Sequence, residues 1–316
     1  MHIYSCHNAV LLLFFNRYDT TLQVLKQISK VKPPRIYLAS DGGRNTQEQE
    51  NVCHLRESIM QHITWECEIY TRFLEFNAGC KIAVSSAISW FFSHEKQGII
   101  LEDDCLPSIS FFRFCDELLE RYKDEEQVFM ISGWSALDFA KNLSVETLCP
   151  KARLQEEYFF SKYPHIWGWA SWARAWQHYE LELKNFTSEF DKLRFYSTKE
   201  KRYWHGIFTM YASGKIDTWD YPLVYSMWKY QGVSIYPKNN MITNIGFNRN
   251  DATHTTGDSK FASMPRYELA FPLKHPSKVG IHDEFDRLNF CIVFGWMPFH
   301  RRILSKMRAL LARILG

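Results

Sequence analysis

Short apolar runs alternate with longer amphipathic or polar stretches through the first 135 residues. Residues 9–15 (AVLLLFF) form a continuous apolar run that closes on Asn16-Arg17, the pattern of a strand buried on both faces. A helix is expected from Asp19, as N-cap, to residue 29, with Pro33-Pro34 as its stop. A second strand over 35–39 ends in Ser40-Asp41-Gly42-Gly43, and a polar helix follows to about residue 62. A third strand covers 67–71, and a helix over 81–92 carries apolar residues at 82, 83, 84, 87, 88, 91 and 92. A fourth apolar run, Gly98-Ile99-Ile100-Leu101, leads into three consecutive carboxylates. Ser108 or Ser110 is then positioned to cap a helix reaching residue 122, and 128–132 reads as a fifth strand. Strand and helix in strict alternation predict right-handed crossovers and an α/β fold with a mostly parallel sheet covered on both faces.

From about residue 133 the pieces become shorter and richer in aromatics. Tyr163-Pro164-His165-Ile166-Trp167-Gly168-Trp169 reads as a turn, followed by an amphipathic stretch to residue 179. Residues 184–213 read as helical and polar, 217–230 is dense in aromatics around Asp220, and 234–236 is a short strand. In the tail, Ile303, Leu304, Met307, Leu310, Leu311, Ile314 and Leu315 fall on one helical arc, while Arg301, Arg302, Lys306, Arg308 and Arg313 fill the other. Such a basic amphipathic helix either lies in a membrane surface, with Trp296 and Phe299 as interfacial anchors, or docks on the domain.

Composition adds limits. The 46% hydrophobic content fits a globular protein, and a net charge of +3 does not suggest a nucleic-acid binder held by phosphate contacts. The eight cysteines contain no C-x-x-C pair, which argues against a zinc site. With no cleavable signal sequence in view, reduced thiols in a cytoplasmic protein are the expectation, with peripheral contact at the inner membrane face through 297–316.

The chemistry sits at the strand ends. Leu101-Glu102-Asp103-Asp104 holds three like charges that repel unless a cation compensates them, so the cluster reads as a holder for a divalent, oxygen-loving metal, Mn²⁺ or Mg²⁺. Strand alternation would send Glu102 and Asp104 to one side and Asp103 to the other. Open α/β sheets bind ligands at the carboxyl ends of their strands, where Arg17 and Asp41 also fall. No G-x-G-x-x-G follows the first strand, and G-x-x-x-x-G-K-[ST], H-E-x-x-H and G-x-S-x-G are absent. What remains suits a nucleoside diphosphate-sugar, whose phosphates need a cation and whose departure the metal would assist.

In order along the chain, Phe15-Asn16-Arg17, Ser40-Asp41-Gly42, Gly79-Cys80-Lys81-Ile82-Ala83, Leu101-Glu102-Asp103-Asp104, Gly168-Trp169 and Thr218-Trp219-Asp220 resemble the motifs of glycosyltransferases of the GT-A (nucleotide-diphospho-sugar transferase) fold, nearest the bacterial relatives of the N-acetylglucosaminyltransferase I type. The resemblance implies a nucleotide-sugar-binding half over 1–135, an acceptor and catalytic half over 136–290, and a separate tail over 291–316. It implies inversion at the anomeric carbon; a UDP-sugar is the favoured donor, and membrane attachment through the tail would suit a glycan or lipid-linked acceptor in cell-envelope or surface-glycan synthesis. Arg17 and Asp41 would then contact the base and neighbouring atoms, and Glu102 and Asp103 the donor sugar and ribose hydroxyls. Asp104 would bind the metal, with His254 as a further candidate ligand. Lys81 falls within one of the matched motifs, and Ser85 stands where the family has a ribose-contacting His. Trp167 and Trp169 are candidates for stacking on a sugar face, with core packing as the alternative. Asp220 would be the catalytic base, with Asp217 as the fallback. A sugar nucleotidyltransferase and a non-catalytic carbohydrate- or membrane-binding protein are the competing readings. The first would be expected to have a Gly-rich basic loop after strand one, and Asn16-Arg17-Tyr18-Asp19 is not such a loop.

Overall fold

A computed structural model of the chain describes residues 4–137, 155–247, 249 and 261–294. His254 and the tail segment 297–316 lie outside the described residues. Among those described, eight strands form one sheet in the order β3-β2-β1-β4-β8-β6-β9-β7. Its first part is the expected one: β1 (Ala9–Phe14), β2 (Arg35–Ser40), β3 (Glu68–Phe73) and β4 (Gln97–Glu102) are mutually parallel. They are joined through α1 (Tyr18–Val31), α2 (Thr46–Gln61) and α3 (Gly79–His94).

Beyond β4 the order departs from a simple alternation. After β5 (Cys105–Pro107) and α4 (Ile109–Arg121), β6 (Val128–Ser132) does not pair with β4. β8 (Trp169–Trp172) lies between them, antiparallel to both. The stretch after the 163–169 turn therefore begins with a strand rather than an amphipathic helix, and a four-residue helical turn (Ala173–Trp176) follows. Its residues WASW are all buried, so the strand carries no alternation of apolar and polar positions by which periodicity would reveal it. β7 (Tyr158–Ser161) and β9 (Val233–Pro237) complete the sheet, with β9 parallel to β6 and β7 antiparallel to β9. The sheet is continuous through strands from both halves of the chain.

Successive side chains of β1 feed opposite cores. Val10, Leu12 and Phe14 pack with α1, α2 and α4 residues such as Val24, Leu55 and Phe114. Ala9, Leu11 and Leu13 pack with Ile88 and Phe91 of α3, and with Trp204 and Phe208 of α5 (Thr198–Ala212). Only the second part of 184–213 is this regular helix; 186–192 holds two short helical turns. The same core takes in Leu223 and Tyr225 of α6 (Asp220–Lys229), and α7 (Asp283–Val293) closes the far end beside β7. All residues of β1 are buried, which accounts for its unbroken apolar run.

Two helix starts differ from expectation. Arg17, not Asp19, occupies the N-cap of α1, and Asp19 sits in the first turn, where it accepts both guanidinium nitrogens of Arg249 at 2.6 and 3.0 Å. Ser108 is the N-cap of α4 but makes no side-chain cap bond. Instead Glu268, about 160 residues downstream, accepts the amides of Ile109 and Ser110 at 3.0 and 2.7 Å. A carboxylate at a helix N-terminus satisfies donors that the helix itself cannot pair.

A two-stranded antiparallel ribbon of β5 and β10 (Ile242–Asn244) stands apart from the main sheet. Its register sets Asn244 opposite Cys105 and so brings a distant segment beside the carboxylate cluster.

Candidate active site

The carboxyl ends of β1, β2 and β4 open into a cavity of about 860 Å³. One wall is formed by Phe15, Asn16 and Arg17 after β1, Ser40 and Asp41 after β2, and Glu102, Asp103 and Asp104 after β4. The 215–221 segment entering α6 lines the same cavity, with Lys215, Asp217, Thr218 and Asp220. Ile166, Trp167, Asn244 and Phe247 close the rest. A loop that is more than a hundred residues from the triplet in sequence thus lines the same cavity.

The three carboxylates do not separate onto two faces. Strand β4 ends at Glu102, so alternation no longer governs the next two residues, and all three line the cavity. Arg17 answers them, with Nη1 3.3 Å from Asp104 Oδ2 and 3.8 Å from Asp103 Oδ1. Burial and mutual repulsion still win over this cation. Glu102 is pushed well above the usual carboxylate range, first by burial and then by the charge of Asp104. Asp103 is pushed up to about 7 by the same two causes, and burial raises Asp104.

Asp104 is held on every side. Oδ2 faces Arg17, while Oδ1 accepts weakly from Asn244 Nδ2 and Cys105 Sγ, each at 3.4 Å. The Ile245 amide donates to the Asp104 carbonyl at 2.8 Å, and a Cβ on Gly246 would overlap Asp104 Oδ2. Nothing in the sequence marks Asn244 or Gly246, because their approach depends on the β5–β10 register.

Asp41 lines the cavity with its oxygens already taken. Oδ1 accepts from the amides of Gly42 and Ala78 at 2.9 and 2.8 Å, and Oδ2 from the Gly79 amide and Asn77 Nδ2 at 2.9 and 3.0 Å. Four donors use the acceptor capacity of a carboxylate, so Asp41 clamps the entrance of α3 to the end of β2. Arg44, Arg72 and Asn77 line the same cavity. Arg44 stands 5.5 Å from the Phe15 ring centroid and pairs with Glu48.

Asp220 heads α6, and its Oδ1 accepts from Thr218 Oγ1 at 2.6 Å and from the Tyr221 amide at 2.9 Å. Asp217 is exposed on the same wall. Cys80 registers the convergence of the two walls. Its thiol is pushed up to about 12 by burial, then by Glu102, Asp220, Asp217 and Asp41.

Lys81, Ser85 and Trp169 lie outside the cavity lining. Lys81 Nζ rests 4.5 Å from the Tyr211 ring centroid. Ser85 is buried, and its hydroxyl donates to the Lys81 carbonyl one turn back at 2.6 Å. The Trp169 ring is buried in the core and stacks on Trp219, with centroids 6.1 Å apart. Of the two candidate stacking tryptophans only Trp167 reaches the cavity, edge-on to Phe247 at 5.6 Å.

Among the described residues, no three His, Cys, Asp or Glu side chains form a group that could hold a metal ion. The donor set suits Mg²⁺ or Mn²⁺ in the form that needs no such cage, held by one or two carboxylates and completed by substrate phosphates and water. Asp104, an oxygen donor whose charge is opposed by burial, fits that part.

No protein-family model matches the chain, and no curated protein matches it. Several solved structures are similar at low level, two of them as follows. Mouse xyloside xylosyltransferase 1, in its apo form, has 8% identity and a TM-score of 0.31, over 70% of this chain and 81% of that one. UDP-glucose pyrophosphorylase complexed with UDP-glucose has 10% identity and a TM-score of 0.35, over 73% and 90%. Both scores lie below the level at which a shared fold follows.

Proposed function

We propose that this chain is a metal-dependent glycosyltransferase of GT-A type that moves a hexosyl or N-acetylhexosaminyl group from a nucleoside diphosphate donor, a UDP-sugar for preference, to an acceptor hydroxyl. The observation that carries this reading is the cavity at the ends of β1, β2 and β4, with Glu102, Asp103 and Asp104 on one wall and Asp220 on the other. A donor laid between them has its diphosphate at Asp104 and its sugar near Glu102 and Asp103. Mn²⁺ or Mg²⁺ bound at Asp104 would stabilise the charge that develops on the departing diphosphate. Asp220 would accept the proton of the acceptor hydroxyl as its oxygen bonds to the anomeric carbon and the bond to the diphosphate breaks, with the electron pair leaving on the nucleotide. One base on the face opposite the leaving group suits inversion.

Phe15 and Arg44 supply a ring and a guanidinium beside the end of β1 where the base would lie. Trp167 with Phe247 offers an aromatic face for a sugar ring. A glycan or lipid-linked acceptor of envelope or surface-glycan synthesis fits such a wall. A metal at Asp104 with His254 as a further ligand, peripheral membrane contact through 297–316 and a cytoplasmic location belong to the same reading. No helix among the described residues is long and apolar enough to cross a membrane. Thermal-shift titration with UDP-, GDP- and CMP-sugars, with and without Mn²⁺, tests the reading. Stabilisation by one donor that requires the metal supports it, and no stabilisation by any of them refutes it.

A further inference from the structure

We propose that the chain forms a twofold dimer by antiparallel pairing of β3 with β3 of a second copy, with the axis at Tyr70. β3 (Glu68–Phe73) is one end of the eight-stranded sheet. The opposite end is closed: all four residues of β7 are buried, Phe160 bridges to Ile281, and the Phe160 carbonyl accepts the His282 amide at 2.9 Å. β3 has no such cover among the described residues. Glu68, Ile69 and Thr71 are exposed, the strand contains no proline, and its register with β2 runs without a bulge. An edge left in this state is a template for pairing with another chain.

The ladder decides which backbone groups are free. The Glu68 amide donates to the Pro34 carbonyl and the Leu74 amide to the Ser40 carbonyl, each at 3.0 Å, so the even-numbered residues of the strand face β2. Ile69, Thr71 and Phe73 therefore turn their N–H and C=O groups outward. An antiparallel partner has to set outward residues opposite one another, which places a twofold axis at Ile69, Tyr70 or Thr71. Of these, the Tyr70 axis alone matches charges within the strand, with Glu68 of each copy opposite Arg72 of the other. The Ile69 axis carries Arg72 past the strand end, and the Thr71 axis sets Arg72 against Tyr70 and Glu68 against Leu74.

In the Tyr70 register, Ile69 and Thr71 exchange backbone hydrogen bonds with each other across the axis. The Glu68–Arg72 and Tyr70–Tyr70 pairs then occupy the closer, non-hydrogen-bonded positions, where Cα atoms stand about 4.5 Å apart. Both charged groups have capacity for the exchange. Within its own chain the Arg72 guanidinium donates to Ser86 Oγ at 3.3 Å, and among the described residues it has no carboxylate partner. Glu68 accepts the Tyr70 hydroxyl on Oε2 at 2.6 Å, which leaves Oε1 for an incoming guanidinium. Ile69, 37% exposed, is apolar surface on the same edge that the pairing covers. Opposite charges directly across such a ladder stabilise it, and like charges destabilise it. The twofold axis counts each charge pair twice.

The test is the molar mass of the full chain over a range of concentrations, by analytical ultracentrifugation, with circular dichroism as the check on folding. The wild type is expected to reach the mass of two chains. Glu68→Arg and Arg72→Glu each place like charges opposite one another and are expected to weaken the dimer by about tenfold or more. The double variant Glu68→Arg with Arg72→Glu restores the match and is expected to return to near wild-type association. Thr71→Pro is the second arm: its amide faces away from β2, so the monomer tolerates the change while the ladder between copies loses a donor. A wild type that stays monomeric throughout overturns the proposal. So does a dimer that the folded single variants and Thr71→Pro leave unchanged, or one that the folded double variant fails to recover.

Discussion

Gly246 lies against Asp104 so closely that a Cβ at position 246 would overlap the carboxylate oxygen Oδ2. The 244–246 segment closes on the triplet because this residue has no side chain. Gly246→Ala is expected to push the Asp104 carboxylate away from Arg17 and Asn244. The expected cost is about 1–3 kcal/mol of stability, as for overpacking at other buried sites. Stabilisation by Mn²⁺ with UDP should weaken as well. Thermal melts with and without the pair of ligands measure both effects.

Asp220→Asn keeps the size of the side chain and an acceptor for Thr218 Oγ1, but removes the proposed base. Transfer is expected to fall about 100-fold or more, the scale of general-base catalysis, while UDP-sugar binding persists. Asp217→Asn should leave transfer within a few-fold of the wild type. A larger loss at 217 than at 220 would move the base to Asp217.

Lys162 and Glu200 form a buried ion pair at 2.7 Å, and Glu200 also accepts the Tyr163 hydroxyl and the Tyr196 amide. Glu200→Ala strands the ammonium in the core and is expected to cost about 3–5 kcal/mol. Urea denaturation measures it. The double replacement Lys162→Met with Glu200→Leu should recover much of the loss, because it removes the unpaired charge together with its partner.

Asp286 is fully buried, and burial pushes its carboxyl up to about 6 from an ordinary 3.8, against the donors Ser161, the Lys162 amide and Tyr196. The folded state therefore holds this proton over a range in which the unfolded chain has lost it. Its contribution to stability is full below about pH 3.8 and is lost as pH rises through about 6. Relative to Asp286→Asn, the wild type should lose about 2 kcal/mol between pH 4 and pH 7. Denaturation midpoints of the two proteins across that range decide it, and a constant difference would refute the shift.

The basic amphipathic pattern of 297–316 gives a prediction from sequence alone. Deletion of these residues is expected to release the protein from membranes in cell fractionation, with transfer to a soluble acceptor retained. Unchanged fractionation would refute membrane attachment through this segment.

Much of the first half was legible because β1, β2 and β4 are almost wholly buried and its helices are long. The unbroken apolar run of β1 and the apolar positions of α3 mark themselves. β8 did not, since four buried residues in a row carry no period that separates strand from helix. Its place between β4 and β6 is a long-range pairing with no local trace. In the site, the triplet and Arg17 were legible as strand-end residues. That the arginine lies on Asp103 and Asp104 was not, nor was the saturation of Asp41 by four donors from its own chain.

By itself the sequence determined the alternating strand-helix order up to β4, the strand-end position of Arg17, Asp41 and the three carboxylates, and the exclusion of several other cofactor and nucleophile motifs. These follow from local periodicity and composition. Tertiary structure alone decided which of those residues face the cavity, which partners hold them, and that Asp220, Trp167 and Asn244 meet the triplet across it. The physical reason is separation along the chain. The ribbon of β5 and β10 and the insertion of β8 join segments roughly forty or more residues apart through backbone hydrogen bonds, which do not depend on side-chain identity, so no side-chain pattern announces them.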